Sequence, residues 1–293
     1  MRARLVAMAA WGALAGAAMA ATTGPAAYVE AVQMPAWIER GASRAPLAPG
    51  MPLESTDRVR TGAGARLLVK TADGSAVRLG ENATLAFDAI ARPQARDGVF
   101  TAALQVVTGA FRFTTAALAR GQKREVSVRF ATVTAGIRGT DLWGKSAPDR
   151  EIVCLIEGRI EVTRPGNPTV EMSEPRSFYI APRDAPSLPV ARVSDEQLAQ
   201  WAAETEVEAG KGAARIGGRW KVVLASSASQ EEALSVYGAA RAAGYAVEIR
   251  PARSGGQRVY DAVIAQLPSQ AEAEALAASL AGRFGAASPR VTR

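Results

Sequence analysis

The sequence predicts two folded units of different class: an all-β sandwich or roll, then a small α+β domain. Two observations carry this. Between residues 27 and 183, turn-forming residues recur at short intervals between alternating segments, the pattern of many short strands. From residue 219 the pattern changes to strand, helix, strand, strand, helix, strand.

The N-terminus reads as a leader. Arg2 and Arg4 precede an apolar stretch from Leu5 to Ala18, and Ala18-Met19-Ala20 is a small-x-small cleavage site. This is the layout of a secretory signal peptide over residues 1–20. The apolar run is shorter than the ~20 residues that a membrane span needs. The expected destination is a Gram-negative periplasm, dispersed or septal, with no transmembrane segment after cleavage.

Composition narrows the chemistry. The 293 residues contain no His and one Cys, Cys154, set in the apolar run Ile152-Val153-Cys154-Leu155-Ile156. Imidazole-dependent catalytic pairs and pH switches are therefore excluded. No metal site or cofactor is expected, since zinc sites draw on His and Cys. A lone Cys with apolar flanks reads as a packed core thiol. A carboxylate-pair hydrolase would need two positioned acids, and no pair stands out. The formal net charge is +7, two of it from Arg2 and Arg4. That excess suits an anionic envelope polymer or plain solubility, and a secreted destination argues against nucleic acid.

The β unit spans residues 21–183. Arg66–Lys70 and Ala76–Leu79 flank Asp73-Gly74, a strong hairpin signal because both residues tolerate positive φ. Strands are predicted at Thr84–Phe87, Ala102–Thr108, Ala110–Thr114, Val126–Val133, Asp141–Lys145, Ile152–Glu157 and Arg159–Thr163. Turns are predicted at Gly109, Arg138-Gly139 and Glu157-Gly158, and a short helix or loop at Thr115–Arg120, ended by Gly121. Asp57 and Asp73 suit bonds to nearby backbone amides at turns.

Five pieces occur in order: Leu47-Ala48-Pro49-Gly50, Asp57 to Gly62, Asp73-Gly74-Ser75, Thr134 to Thr140, and Ile156-Glu157-Gly158. Together they resemble the FecR-type periplasmic domain over roughly residues 27–165. The resemblance implies a binding or signal-relaying β-domain. The founding members also carry a cytoplasmic regulator segment and a membrane span, which have no counterpart here. Arg138 is a weak candidate for ligand contact, since guanidinium suits carboxylates and phosphates. A bond to backbone carbonyls or to an acid such as Asp141 is the alternative.

Residues 184–218 read as a Pro/Gly linker with a short helix. Ser194 caps it, Gln197 stands in the capping-box position, and Leu198, Trp201, Ala202 and Val207 form a weak apolar stripe. The stripe is expected to pack on the β unit. Gly210, Gly212, Gly217 and Gly218 predict a flexible end.

Residues 219–293 follow the split β-α-β order of a ferredoxin-like domain. Strands are predicted at Trp220–Leu224, Ala246–Arg250, Arg258–Ala265 and Arg290–Thr292. Ser227 or Ser229 opens the first helix, with Glu231 and Glu232 favourable to its dipole, and Gly244 ends it. Ser269 caps the second helix, with Glu272 in the capping-box position.

Trp220-Lys221-Val222-Val223-Leu224 with Ser229 to Ala233, Gly244 to Val247, and Tyr260 to Leu267 with Ser269 to Ala273 resemble a SPOR domain. SPOR domains bind peptidoglycan glycan strands stripped of stem peptides, commonly at division sites. The resemblance implies glycan contacts by Lys221, Ser226, Arg258, Tyr260 and Gln266, with Trp220 as a stacking wall. Ala225 stands where the family often has Gly, Asp261 where it often has Arg, and Ala265-Gln266-Leu267 in place of its turn.

Two function classes follow. One is a non-enzymatic adaptor that holds denuded glycan strands and presents the β-domain to an envelope protein or ligand. The other is a FecR-type signalling relay acting on a transporter or sigma-factor regulator.

Overall fold

The computed structural model describes residues 24–91, 99–116, 124–285 and 288–293. The leader expected over 1–20, and residues 117–121 of the predicted helix or loop, lie outside the described residues.

The described residues are mostly β, with three helices among them. They open with β1 (Ala27–Gln33), the hairpin β2 (Ala36–Arg40) and β3 (Ser43–Pro46), β4 (Pro52–Leu53) and β5 (Arg58–Thr61). Next come the hairpin β6 (Arg66–Thr71) and β7 (Ala76–Leu79), then β8 (Thr84–Ala91) and the long β9 (Phe100–Thr114). β10 (Arg124–Arg129) runs parallel to β9. The second long hairpin is β11 (Thr134–Ser146) and β12 (Arg150–Thr163), followed by β13 (Val170–Met172), β14 (Ser177–Pro182) and β15 (Ala191–Arg192). α1 (Asp195–Ala203) and β16 (Ala214–Arg215) complete this part. All sixteen strands belong to one sheet.

Two glycine effects shape that sheet, and both correct sequence-based expectations. Gly109 is not a turn between two strands. It bends β9, whose first half pairs with β8 and β10 and whose second half pairs with β7 and β11. Its φ is +86°, and a Cβ there would strike Ala83. Likewise, Arg138-Gly139 and Glu157-Gly158 are not chain reversals. β11 and β12 run straight through them with register shifts between Arg138 and Leu142. Gly139 and Gly158 hold φ of +66° and +96°, and a Cβ on Gly158 would lie 2.5 Å from Gly139 O. A glycine flanked by alternating residues serves a bulge as well as a turn. The true reversal lies at 147–149, closed by Ala147 N–H donating to Arg150 O.

The folded-back sheet encloses Phe87, Phe100, Phe111, Phe113 and Phe130, all fully buried. Each such burial contributes roughly 1.5–3 kcal/mol. Asp57 and Asp73 serve turns as expected: Asp57 Oδ2 accepts the Glu54 N–H and Asp73 Oδ1 accepts the Ser75 N–H. Asp57 also takes both Nε–H and an Nη2–H of Arg40 at 2.7 Å.

The connector is a strap rather than a flexible linker. Ser194 caps α1 by accepting the Gln197 N–H. Trp201 stacks on fully buried Trp143, ring centroids 4.7 Å apart, and Phe178 meets Trp201 edge-on. The chain then crosses the sheet, placing Glu204 on Lys145, Glu206 on Arg112 and Arg78, and Glu208 on Arg66. Val207, beyond the end of α1, packs on Ala31, Leu68 and Ala76. β16 then pairs with β1. Glycines were expected to loosen this stretch, but Gly212 lies so close to Leu276 that a Cβ would clash, a close backbone approach that only glycine permits.

The C-terminal part comprises β17 (Trp220–Ser227), α2 (Gln230–Ala242), β18 (Val247–Ser254), β19 (Gln257–Leu267), α3 (Gln270–Leu280) and β20 (Arg290–Thr292). The sheet order is β18-β19-β17-β20. Gly255 and Gly256, at φ +56° and +83°, form the two-residue turn of the β18–β19 hairpin. Ser229 and Ser269 cap α2 and α3 by accepting the Glu232 and Glu272 N–H groups. The two glutamates do not reach back as a capping box would. Glu232 accepts from the Ser227 hydroxyl, and Glu272 binds the strap.

Candidate binding face of the C-terminal sheet

α2 and α3 cover one face of this sheet. Val222, Leu224, Val247, Ala262 and Ile264 pack there with Ala240, Ala273, Leu276 and Leu280. Side chains alternate along a strand, so Lys221, Val223, Asp261 and Val263 point to the other face. Register extends that face sideways. Val223 pairs with Arg290 and Val263, and Val263 pairs with Glu248. Ser226 pairs with Asp261, and Asp261 with Arg250. Among the described residues no helix covers this side, yet Val223 and Val263 are only 4% and 3% exposed. The result is a small apolar centre ringed by Lys221, Arg290, Arg250, Glu248, Ser226 and Asp261.

The electrostatics of the ring are mixed. Arg250 donates an Nη2–H to Glu248 Oε1 at 2.6 Å. Asp261 Oδ1 is buried and accepts no hydrogen bond within the protein. Such an acceptor lacks the partner that buried polar groups normally have. The hydroxyl, ammonium and guanidinium groups of this ring can hydrogen-bond the edge of a polar ligand.

The six residues named from the sequence do not share one face. Lys221 and Ser226 lie on the open face. Trp220 is half-buried, on the side that packs against the main core. Tyr260 pairs with Ser227 and Pro251, one position out of phase with Asp261, and alternation turns it and Arg258 to the helix side. Gln266 sits past the end of the open face, at φ +64°, beside the seam between the two parts of the chain. The sequence reading missed Val223, Glu248, Arg250, Val263 and Arg290. The Ser254-Gly255-Gly256 turn was the available signal, because a two-residue hairpin sets the register of both its strands.

Two further expectations concern the β-domain. The Arg138 side chain lies outside the described residues. Asp141, offered as its partner, is held by Arg112 through Nε and Nη2 at 2.9 and 2.7 Å. Cys154 is fully buried, and burial, with Asp141 nearby adding to it, pushes its thiol up to about 12. It is therefore a packed thiol rather than a nucleophile. Among the described residues, no group of three or more His, Cys, Asp or Glu side chains could hold a metal ion. None of their helices is long and apolar enough to cross a membrane.

Residues 57–161 match the family model for the FecR protein, and residues 217–289 match that for the SPOR domain. The expected order, FecR followed by SPOR, is thus found. The FecR match starts at Asp57, so the Leu47–Gly50 piece precedes it. Two crystal structures of a candidate anti-sigma factor from Parabacteroides distasonis are similar at 15% identity and a TM-score of 0.40. The alignments cover 50% of this chain and 64% and 63% of those chains, less than two thirds of their length. No curated protein matches the chain.

Proposed function

We propose that this chain is a non-enzymatic periplasmic adaptor. Residues 219–293 bind peptidoglycan glycan strands that have lost their stem peptides, and residues 21–183 present the β-domain to an envelope protein or ligand. The strap of residues 184–218 joins the two. The observation that carries this reading is the SPOR match over residues 217–289, on a sheet with one helix-covered face and one open polar face. The Val223–Val263 pair, almost fully buried, forms the floor beneath the polar groups of that face. Lys221, Ser226, Arg250 and Arg290 offer partners for hydroxyl and N-acetyl groups. The leader-like N-terminus supports a periplasmic site of action.

The test is retention of the purified chain on sacculi, with and without amidase treatment that strips the stem peptides. Stripping should increase retention, and Lys221→Glu with Arg290→Glu should reduce it. Equal retention on treated and untreated sacculi would sink the denuded-glycan reading.

The FecR match favours a second reading, in which the β-domain relays a signal to a transporter or membrane regulator. Crosslinking in cells separates the two. Recovery of a membrane partner through the β-domain supports the relay, and recovery of wall material alone removes it.

A further inference from the structure

The two parts of the chain are docked, and the seam between them carries a cleft. Ala36 N–H donates to Gly244 O at 3.0 Å, and Ala246 N–H approaches Met34 Sδ at 3.3 Å. Gly244 lies flat against the Trp37 ring, where a Cβ would sit 2.6 Å from ring carbons. Beside these contacts opens a cleft of about 350 Å³, a size found among small-ligand pockets of ~300–1,000 Å³. Met34, Pro46, Pro49 and Met51 line it from the β-domain, and Arg250 and Gln266 from the C-terminal sheet.

Three observations point to a ligand. Gln266 holds φ of +64°, a backbone region that non-glycine residues occupy at a steric cost. Residues held this way collect at ligand-clamping positions. Here the close passage of Gly218 against the Gln266 carbonyl, possible only for a glycine, keeps it in place. Second, Glu248 and Arg250 line the cleft and also stand on the open face, so the two surfaces are continuous. Third, the cations of the cleft are already engaged. Arg250 pairs with Glu248, and Arg241 donates to Val247 O. An apolar floor with neutralised charge and a side-chain amide suits a neutral N-acetylated sugar better than a charged stem peptide.

We propose that this cleft is an added subsite for the glycan strand, built in part by the β-domain. The inference rests on the peptidoglycan reading above. Met34, Pro46, Pro49 and Met51 would seat the acetamido methyl and the ring C–H face. Gln266 would meet the acetamido carbonyl, and the N–H groups of Arg250 not used by Glu248 would meet hydroxyls. The β-domain would then take part in wall binding directly.

The test measures binding of the full chain to stripped glycan strands, and to the same strands after chemical removal of their N-acetyl groups. Ala48→Trp places a ring into the cleft from its half-buried margin. Gln266→Gly keeps the positive φ and removes the amide. Each should weaken binding about fivefold, the effect of one lost hydrogen bond or its equivalent, with an unchanged melting temperature. De-N-acetylated strands should bind the wild type more weakly and respond less to either change. If Ala48→Trp fails to fold, Gln266→Gly decides alone. Wild-type binding that Gln266→Gly leaves intact, or that ignores N-acetylation, overturns the cleft while leaving the glycan reading standing. A wild type with no affinity for stripped strands overturns both.

Discussion

Glu272 ties the strap to the C-terminal domain, and replacing it with glutamine tests that junction. The residue is 9% exposed. Oε1 accepts the Gly210 N–H at 2.7 Å, and Oε2 accepts those of Gly212 and Ala213 at 2.7 and 3.0 Å. Glutamine keeps one acceptor oxygen and turns the other into a donor. At least one backbone N–H then faces an N–H, and Gly212 and Ala213 are both buried. An unsatisfied buried group costs about 1–3 kcal/mol, and loss of the charge weakens the bonds that remain. The sum is about 2–4 kcal/mol. At roughly 2–4 °C per kcal/mol, the melting temperature should fall by roughly 5–15 °C. Glu274→Gln, an exposed change on the same helix, should cost less than about 0.5 kcal/mol. Hydrogen exchange should show the Gly212 and Ala213 amides losing protection in Glu272→Gln and keeping it in Glu274→Gln. Equal melting temperatures for the two variants, or protected amides in Glu272→Gln, would refute the clasp.

Trp201→Ala removes a half-buried ring stacked on Trp143 and should cost about 2–4 kcal/mol in urea unfolding; a loss under about 1 kcal/mol would mean that α1 is not docked. Gly244→Ala forces a Cβ into the Trp37 ring at φ +88°. The domain seam should loosen by about 2–4 kcal/mol, and calorimetry should show two separated transitions; one transition at the wild-type temperature argues against a docked seam. Glu151 is fully buried, and its pKa is raised above 4.5, chiefly by burial and against the pull of Ser146 and Arg183. Its contribution to stability is therefore full below its unfolded pKa and is lost as pH climbs through the raised folded value. Glu151→Gln should raise the melting temperature relative to wild type more at pH 7 than at pH 4, and the same shift at both pH values would contradict this.

Local signals were legible wherever the physics is local. Ser194, Ser229 and Ser269 cap their helices because a hydroxyl two or three residues ahead of free N–H groups has one obvious use. Asp73-Gly74 and Gly255-Gly256 turn the chain because few residues adopt positive φ. The same rule misled at Gly109, Gly139 and Gly158. There the glycines permit bends and bulges inside long strands, and only pairing with a distant strand separates those outcomes. The residues of the open sheet face divided along the same line. Lys221 and Ser226 were named from the SPOR resemblance, whereas Arg250 and Arg290 join the face through register with β19 and β17.

The sequence by itself determined the two fold classes, the helix caps, the buried character of Cys154 and the exclusion of imidazole chemistry. These follow from composition and from contacts a few residues long. The tertiary structure alone decided that the connector is a strap, that Glu272 serves it in place of a capping box, and that the β-domain and the C-terminal sheet line a common cleft. Each of those depends on groups far apart in the chain. The charges of Glu204, Glu206 and Glu208 acquire a role only when folding sets Lys145, Arg112, Arg78 and Arg66 beneath them.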